Sequence, residues 1–213
     1  MEEKITAIKE WLGTGSINVF GLPMSGKDTV GVKLAELLGA KFLSSGMIIR
    51  TMEEEEKNHM SDSGELIPQD VFYKWILPYF KRSDLNGFPL VLSSVGRWSG
   101  EEVRVMEAAE DGGHPIKVAI LLSVSEADVL RRWETVHELG KRDLTHTLHI
   151  RADDAKEETF KTRIREFNEK TVPVLQTYQS KGMLLPVKAS LDRESVFNLV
   201  VDELYKYAVS HEQ

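Results

Sequence analysis

Residues 21–29, GLPMSGKDT, place two glycines and a lysine at the spacing G-x-x-x-x-G-K. That spacing suits an anion. Successive backbone N–H groups and the start of a helix surround it, and the lysine adds a mobile positive charge. Gly21 and Gly26 permit backbone angles and close approach that a side chain obstructs. The position after the lysine ordinarily holds Ser or Thr, whose hydroxyl helps to hold Mg²⁺. Here it is Asp28, a negative charge where the phosphates of a nucleotide are expected, with Thr29 following. Taken alone, the same letters also fit a tight strand-to-helix turn, so the flanking elements decide.

Those elements are legible. INVF (17–20) is a short apolar run that reads as a buried strand. After the loop, Val30, Leu34, Leu37 and Leu38 recur at helical spacing and Gly39 ends the run. Strand, loop and helix in that order favour phosphate binding over a chance turn. Further apolar runs fall at 40–43, 89–92, 117–123 and 184–187, separated by helical patterns such as Phe160, Ile164, Phe167 and Val196, Val200, Leu204. Alternation of this kind predicts a three-layer α/β/α fold with a central parallel sheet covered on both faces. The first twelve residues carry Ile5, Ile8, Trp11 and Leu12 on one side of an amphipathic helix, read as an N-terminal helical extension over 1–15 before a domain over 16–213.

Composition narrows the function classes. The 213 residues suit one core with small insertions, and 41% hydrophobic with 29% charged residues is ordinary for a soluble globular protein. Zero Cys excludes disulfides and thiolate metal sites. A net charge of −7 with no dense basic run argues against nucleic acid as a partner. No apolar run reaches membrane-span length and the acidic N-terminus lacks an apolar signal region, so the expectation is a cytoplasmic protein with no membrane association. A monomer is the default.

The segment GLPMSGKDTV resembles the loop of adenylate kinases and related nucleoside monophosphate kinases, usually GxPGxGKGT; Thr29 matches, while Met24 and Asp28 replace glycines. SSGMIIR (44–50) is similar to the family's STGDMLR, GELIPQD (64–70) to GxLVPDE, and LVLSSVGRW (90–98) to LLDGFPRT. SVSEADVLRRW (123–133) resembles VPDELLVERI, and RADD (151–154) with EETFKTRIREF (157–167) resembles RxDDxxET…R. TVPVLQTY (171–178) and VKASLDRESV (187–196) continue the likeness towards the C-terminus.

The resemblance implies a P-loop kinase fold with a small acceptor-binding insertion at about 45–72 and a short lid at about 133–150. It assigns ATP to Gly21, Met24, Ser25, Gly26, Lys27, Asp28 and Thr29, with Arg132 and Arg142 from the lid side. It places the monophosphate acceptor on Ser45, Arg50, Ile67, Ser94, Arg97 and Glu101. Lys27, Arg97, Arg132, Arg151 and Arg163 become the catalytic cations, with Asp153 and Asp154 ordering the lid. A guanidinium suits such work because it stays charged and donates in a fork that matches phosphate oxygens.

Three departures carry questions. Where the family has a carboxylate that organises Mg²⁺ water, this chain has Ser93; the extra carboxylate is Asp28, so either the metal contact has moved, with Thr29 beside it, or Asp28 only favours the helix start. Arg163 lies one residue farther from Asp154 than the family spacing, and one residue turns a helix by about 100°. Glu101 stands where an adenine-reading glutamine is usual, which opens GMP as an acceptor, although Ser99 with Glu102 also reads as a capping box and Glu101 suits that helix start. The histidines at 137, 146 and 149 are too loosely spaced to predict a structural zinc. The expected reaction is ATP + NMP giving ADP + NDP with Mg²⁺, AMP favoured as acceptor. GMP or another acceptor, a nucleotide-binding protein that no longer catalyses, and a small-molecule kinase on the same loop stay open.

Overall fold

The computed structural model describes residues 2–58, 60–142 and 156–211, the side chains of residues 141 and 142 excepted. Five parallel strands form one sheet in the order β2-β3-β1-β4-β5: β1 (Ser16–Gly21), β2 (Lys41–Ser44), β3 (Leu90–Ser93), β4 (Ile116–Ser123) and β5 (Leu184–Lys188). All six residues of β1 are buried, as a strand covered on both faces requires. Its register is fixed on both sides, Ile17 pairing with Val91 of β3 and with Val118 of β4.

Side-chain alternation along the strands feeds two cores. Ile17, Val19, Val118 and Ile120 face a layer built from α1 (Glu2–Leu12), α2 (Lys27–Leu38) and α9 (Arg193–Ser210). Phe20, Leu90, Leu92 and Ala119 face the opposite layer, formed by α3 (Ser45–Glu56), α4 (Gln69–Ile76), α5 (Glu101–Asp111) and α8 (Val172–Ser180). A third, smaller cluster joins Leu22 of the loop to Val129 of α6 (Glu126–Arg142) and to Phe160 and Ile164 of α7 (Glu157–Glu166). The three-layer α/β arrangement expected from the alternating pattern is the one observed.

Helix α1 lies within the first core. Ile8 and Leu12 are fully buried, Trp11 meets Tyr207 of α9 edge-on at 5.7 Å, and Lys4 pairs with Asp202 at 2.7 Å. Between α7 and α8, residues Phe167–Thr171 widen into one turn of π-helix. Pro173 is the second residue of α8, and a proline cannot donate to the carbonyl one turn back, a missing bond that falls where the helix widens. No described helix is long and apolar enough to cross a membrane.

Candidate active site

The carboxyl ends of β1 and β3 open into the loops that carry the candidate residues. Leaving β1, the chain turns through Met24 (φ 60°) and Gly26 (φ 92°), and α2 begins at Lys27. Glycine takes positive φ without cost, whereas a side chain there is strained by about 1–2 kcal/mol. Met24 holds that geometry while its side chain packs against the small cluster and its carbonyl accepts from Arg132 at 3.2 Å. The loop separates two hollows. Met24, Ser25, Gly26 and Thr29 line a cavity of about 550 Å³, within the range that holds small molecules. Lys27 and Asp28 line a narrow polar cleft of about 60 Å³ on the other side.

The cleft gathers most of the predicted acceptor and catalytic residues. Ser45, Arg50, Ser94, Arg97 and Arg163 line it together with Lys27 and Asp28. Four cations from four different elements therefore face one small space, which suits an anion of high charge. Arg163 reaches it because α7 starts at Glu157, with Lys156 extended at the N-cap (φ −109°, ψ 135°). Arg163 sits within α7, and Asp154, from which its spacing is counted, lies outside the described residues. Gly64 of the insertion (φ 81°) makes the neighbouring contact: a Cβ there would come within 2.7 Å of the Thr159 carbonyl, so glycine lets the insertion lie against α7.

The Arg97 loop is held by Ser45 and Ser94, both expected at the site, and by Asn18, Thr171 and Glu166, which the sequence reading does not single out. Asn18, fully buried on β1, donates through Nδ2 to the Val95 carbonyl at 2.7 Å, and its Oδ1 accepts the Val95 N–H at 3.2 Å. Ser94, at φ 50°, donates its N–H to Val19, and its carbonyl accepts the Ser45 hydroxyl at 2.8 Å. Thr171 of the π-turn donates to the Arg97 carbonyl at 3.1 Å. Glu166, buried at the end of α7, accepts from the Leu66 N–H at 3.1 Å and from Lys170 at 2.6 Å, and Lys170 lies 4.1 Å over the Trp98 ring. The one available signal was Asn18, a polar residue inside a strand with no solvent face.

Glu101 and Ile67 stand behind the cleft. Ile67 is buried in the second core. The Glu101 carboxylate accepts the N–H groups of Arg97 (2.9 Å) and Trp98 (3.1 Å). Burial raises its pKa above the usual range, with those N–H donors and the Arg97 charge pulling it back. The capping box expected of Ser99 and Glu102 is replaced by Gly100 at the N-cap (φ 95°), with Glu102 accepting the Gly100 N–H at 2.8 Å and the Thr177 hydroxyl at 2.9 Å. At the start of α6 the Ser125 hydroxyl accepts the Asp128 N–H at 3.1 Å and donates to Asp128 Oδ2 at 2.7 Å.

On the larger cavity, Arg132 of α6 donates to the carbonyls of Met24, Ser25 (3.4 Å) and Ala189 (2.5 Å), tying the loop to the turn after β5. Asp192 caps α9 from the same wall, accepting the N–H groups of Glu194 and Ser195. Arg151, Asp153, Asp154 and the side chain of Arg142 lie outside the described residues, as do His146 and His149.

No family model matches the chain. A search of curated proteins finds adenylate kinases: one from Schistosoma mansoni is 31% identical over 199 residues, covering 91% of this chain and 94% of the relative. The chain belongs to the adenylate kinase family. Other members include adenylate kinases of Lachnospira eligens, 27% identical over 210 residues (87% of this chain, 97% of the relative), and Methanosarcina barkeri, 27% identical over 218 residues (91% and 100%). As a member of the adenylate kinase family, the protein is a phosphotransferase, a nucleoside monophosphate kinase.

Proposed function

We propose that the protein transfers the γ-phosphoryl group of ATP to AMP, giving two ADP. The observation that carries this reading is the pair of hollows meeting at residues 27–29: a larger cavity for the donor and a narrow cationic cleft for the acceptor phosphate. The relatives bear the name adenylate kinase, which supports AMP as acceptor. The case for guanine depended on a Glu101 carboxylate reading the base, and here that carboxylate binds the backbone of Arg97 and Trp98.

In this reading no side chain becomes a nucleophile. An oxygen of the acceptor phosphate attacks in line, and catalysis is positioning together with neutralisation of the charge spread over the moving group. Arg50 and Arg97 hold the acceptor phosphate from two sides of the cleft. Lys27 and Arg163 meet the transferring group, and the α2 N-terminus directs its dipole at the donor phosphates. Ser94, Ser45 and Asn18 keep the Arg97 loop in register, and Arg132 keeps the phosphate loop against the donor wall. Arg151 and Arg142 are assigned to phosphate contacts on closure of the lid, with Asp153 and Asp154 ordering it, which would exclude water as a competing acceptor.

Mg²⁺, when bound, would offset the negative charge of the donor phosphates. The oxygen donors of Asp28, Ser93 and Thr29 fit a hard cation, and such a cation usually keeps several waters and phosphate oxygens in its shell. Among the described residues there is no group of three or more His, Cys, Asp or Glu that could hold a metal ion.

The test is an Mg²⁺-dependent coupled assay of ADP formation from ATP with AMP, GMP, CMP and UMP in parallel. Rapid turnover confined to AMP is expected. Faster turnover with another acceptor would replace AMP with that nucleotide.

A further inference from the structure

Asp28 and Ser93 come from different parts of the chain and meet at one point. Asp28 lies in the first turn of α2, Ser93 is the last residue of β3, and the Ser93 hydroxyl donates to Asp28 Oδ1 at 2.5 Å. Ser93 is buried. Helix α2 is capped at Gly26 with no side-chain bond, while the carboxylate reaches across to the neighbouring strand.

The charge makes this placement informative. Lys27, Arg50, Arg97 and Arg163 make the cleft a site for anions, yet Asp28 lines the same cleft. A carboxylate beside phosphate groups opposes their binding unless a cation lies between them. Asp28 faces the acceptor cleft and Thr29 faces the donor cavity, so the carboxylate stands at the divide that a transferring phosphoryl group must cross. Mg²⁺ at phosphate-transfer sites takes one or two protein carboxylates and fills its octahedron with phosphate oxygens and water. One well-held carboxylate meets that need.

We propose that Asp28 is the protein's carboxylate contact to the divalent cation accompanying ATP, directly or through its bound water, with Ser93 as the positioning residue that fixes the carboxylate plane. The inference rests on the phosphoryl-transfer reading above and adds to it which residues receive the cation.

The experiment measures Mn²⁺ binding to the protein–ATP complex by electron paramagnetic resonance, and ATP binding by calorimetry with and without Mg²⁺, no acceptor being present. Asp28→Asn keeps an oxygen to accept from Ser93, and thermal melting checks that it folds. The expected result is metal-free ATP binding equal to or tighter than the parent, with Mn²⁺ affinity lowered about tenfold or more. Ser93→Ala should shift Mn²⁺ affinity in the same direction by less, without changing metal-free ATP binding. The double variant Asp28→Gly with Ser93→Asp moves the carboxylate to the other end of the same contact, and it should recover most of the Mn²⁺ affinity that Asp28→Gly alone loses. Unchanged Mn²⁺ affinity in Asp28→Asn would overturn the proposal. So would a loss matched by equal loss of metal-free ATP binding, or a double variant no better than Asp28→Gly. Failure of the kinase reading would show elsewhere, as absence of turnover by the parent with every acceptor.

Discussion

Replacing Asn18 tests whether one buried amide holds the Arg97 loop. Its two hydrogen bonds, at 2.7 and 3.2 Å, satisfy both the carbonyl and the N–H of Val95, in a place where Asn18 is fully buried and Val95 nearly so. Asn18→Ala strands both peptide groups away from water. Each stranded group costs about 1–3 kcal/mol, so the expected loss from the two is about 2–6 kcal/mol. That is a large share of a domain stability of about 5–15 kcal/mol. Because Arg97 follows Val95 by two residues, the KM for the acceptor should rise more than the KM for ATP. Asn18→Asp sharpens the test through pH. An ionised carboxylate at this position would turn an oxygen towards the Val95 carbonyl in a buried site, so its folded pKa would lie above the unfolded value of about 3.9. Stability of that variant is then present below about pH 4 and lost as pH rises through the folded pKa. Urea unfolding from pH 4 to 8 with acceptor-dependent kinetics reads both effects. A loss below about 1 kcal/mol in Asn18→Ala, with acceptor KM unchanged, would refute the reasoning.

Further outcomes follow from the same geometry. Arg97→Ala and Arg163→Ala should each lower turnover by about 10³ or more, and less than tenfold for Arg163 would remove it from the reacting centre. Burial raises the Glu101 pKa, so the group's contribution to stability is fully present below its ordinary value of 4.5 and is lost as pH rises through the folded value. Glu101→Gln keeps an acceptor for the Arg97 and Trp98 N–H groups without the buried charge. It should therefore raise the melting temperature at pH 7 and flatten the pH dependence above about 4.5, and a lower melting temperature at pH 7 would contradict this. Glu166→Ala leaves Lys170 and the Leu66 N–H without their shared acceptor, with an expected loss of about 3 kcal/mol measured by urea unfolding. A loss under about 1 kcal/mol would show the Glu166 bridge to be dispensable.

The sheet and its loops were legible in the sequence because they rest on local patterns. Five apolar runs became five strands, and the loop after the first became the divide between two hollows. Side-chain partnerships across the fold were harder to foresee. Asp28 and Ser93 could be noticed as two departures in one chain, but their hydrogen bond depends on β3 lying beside β1. Glu101 illustrates the opposite case. Its position suggested base recognition, while burial and the adjacent N–H groups of a tight loop made it a backbone acceptor. The doubt over Arg163 came from counting residues along a helix. Arg163 nevertheless lines the cleft with Lys27 and Arg97, a placement set by the packing of α7 that a residue count does not carry.

The central place of β1 has a consequence for how the protein comes into being. The strand bearing the phosphate loop is synthesised before both of its neighbours, so Ile17 must wait for Val91 on one side and Val118 on the other. Pairings that distant close large loops and form slowly. The nascent chain therefore carries its nucleotide motif long before it has a nucleotide site. ATP can stabilise only the completed sheet, since a ligand stabilises the state it binds. Nucleotide present during synthesis should leave early folding untouched and protect the chain only once β4 has docked.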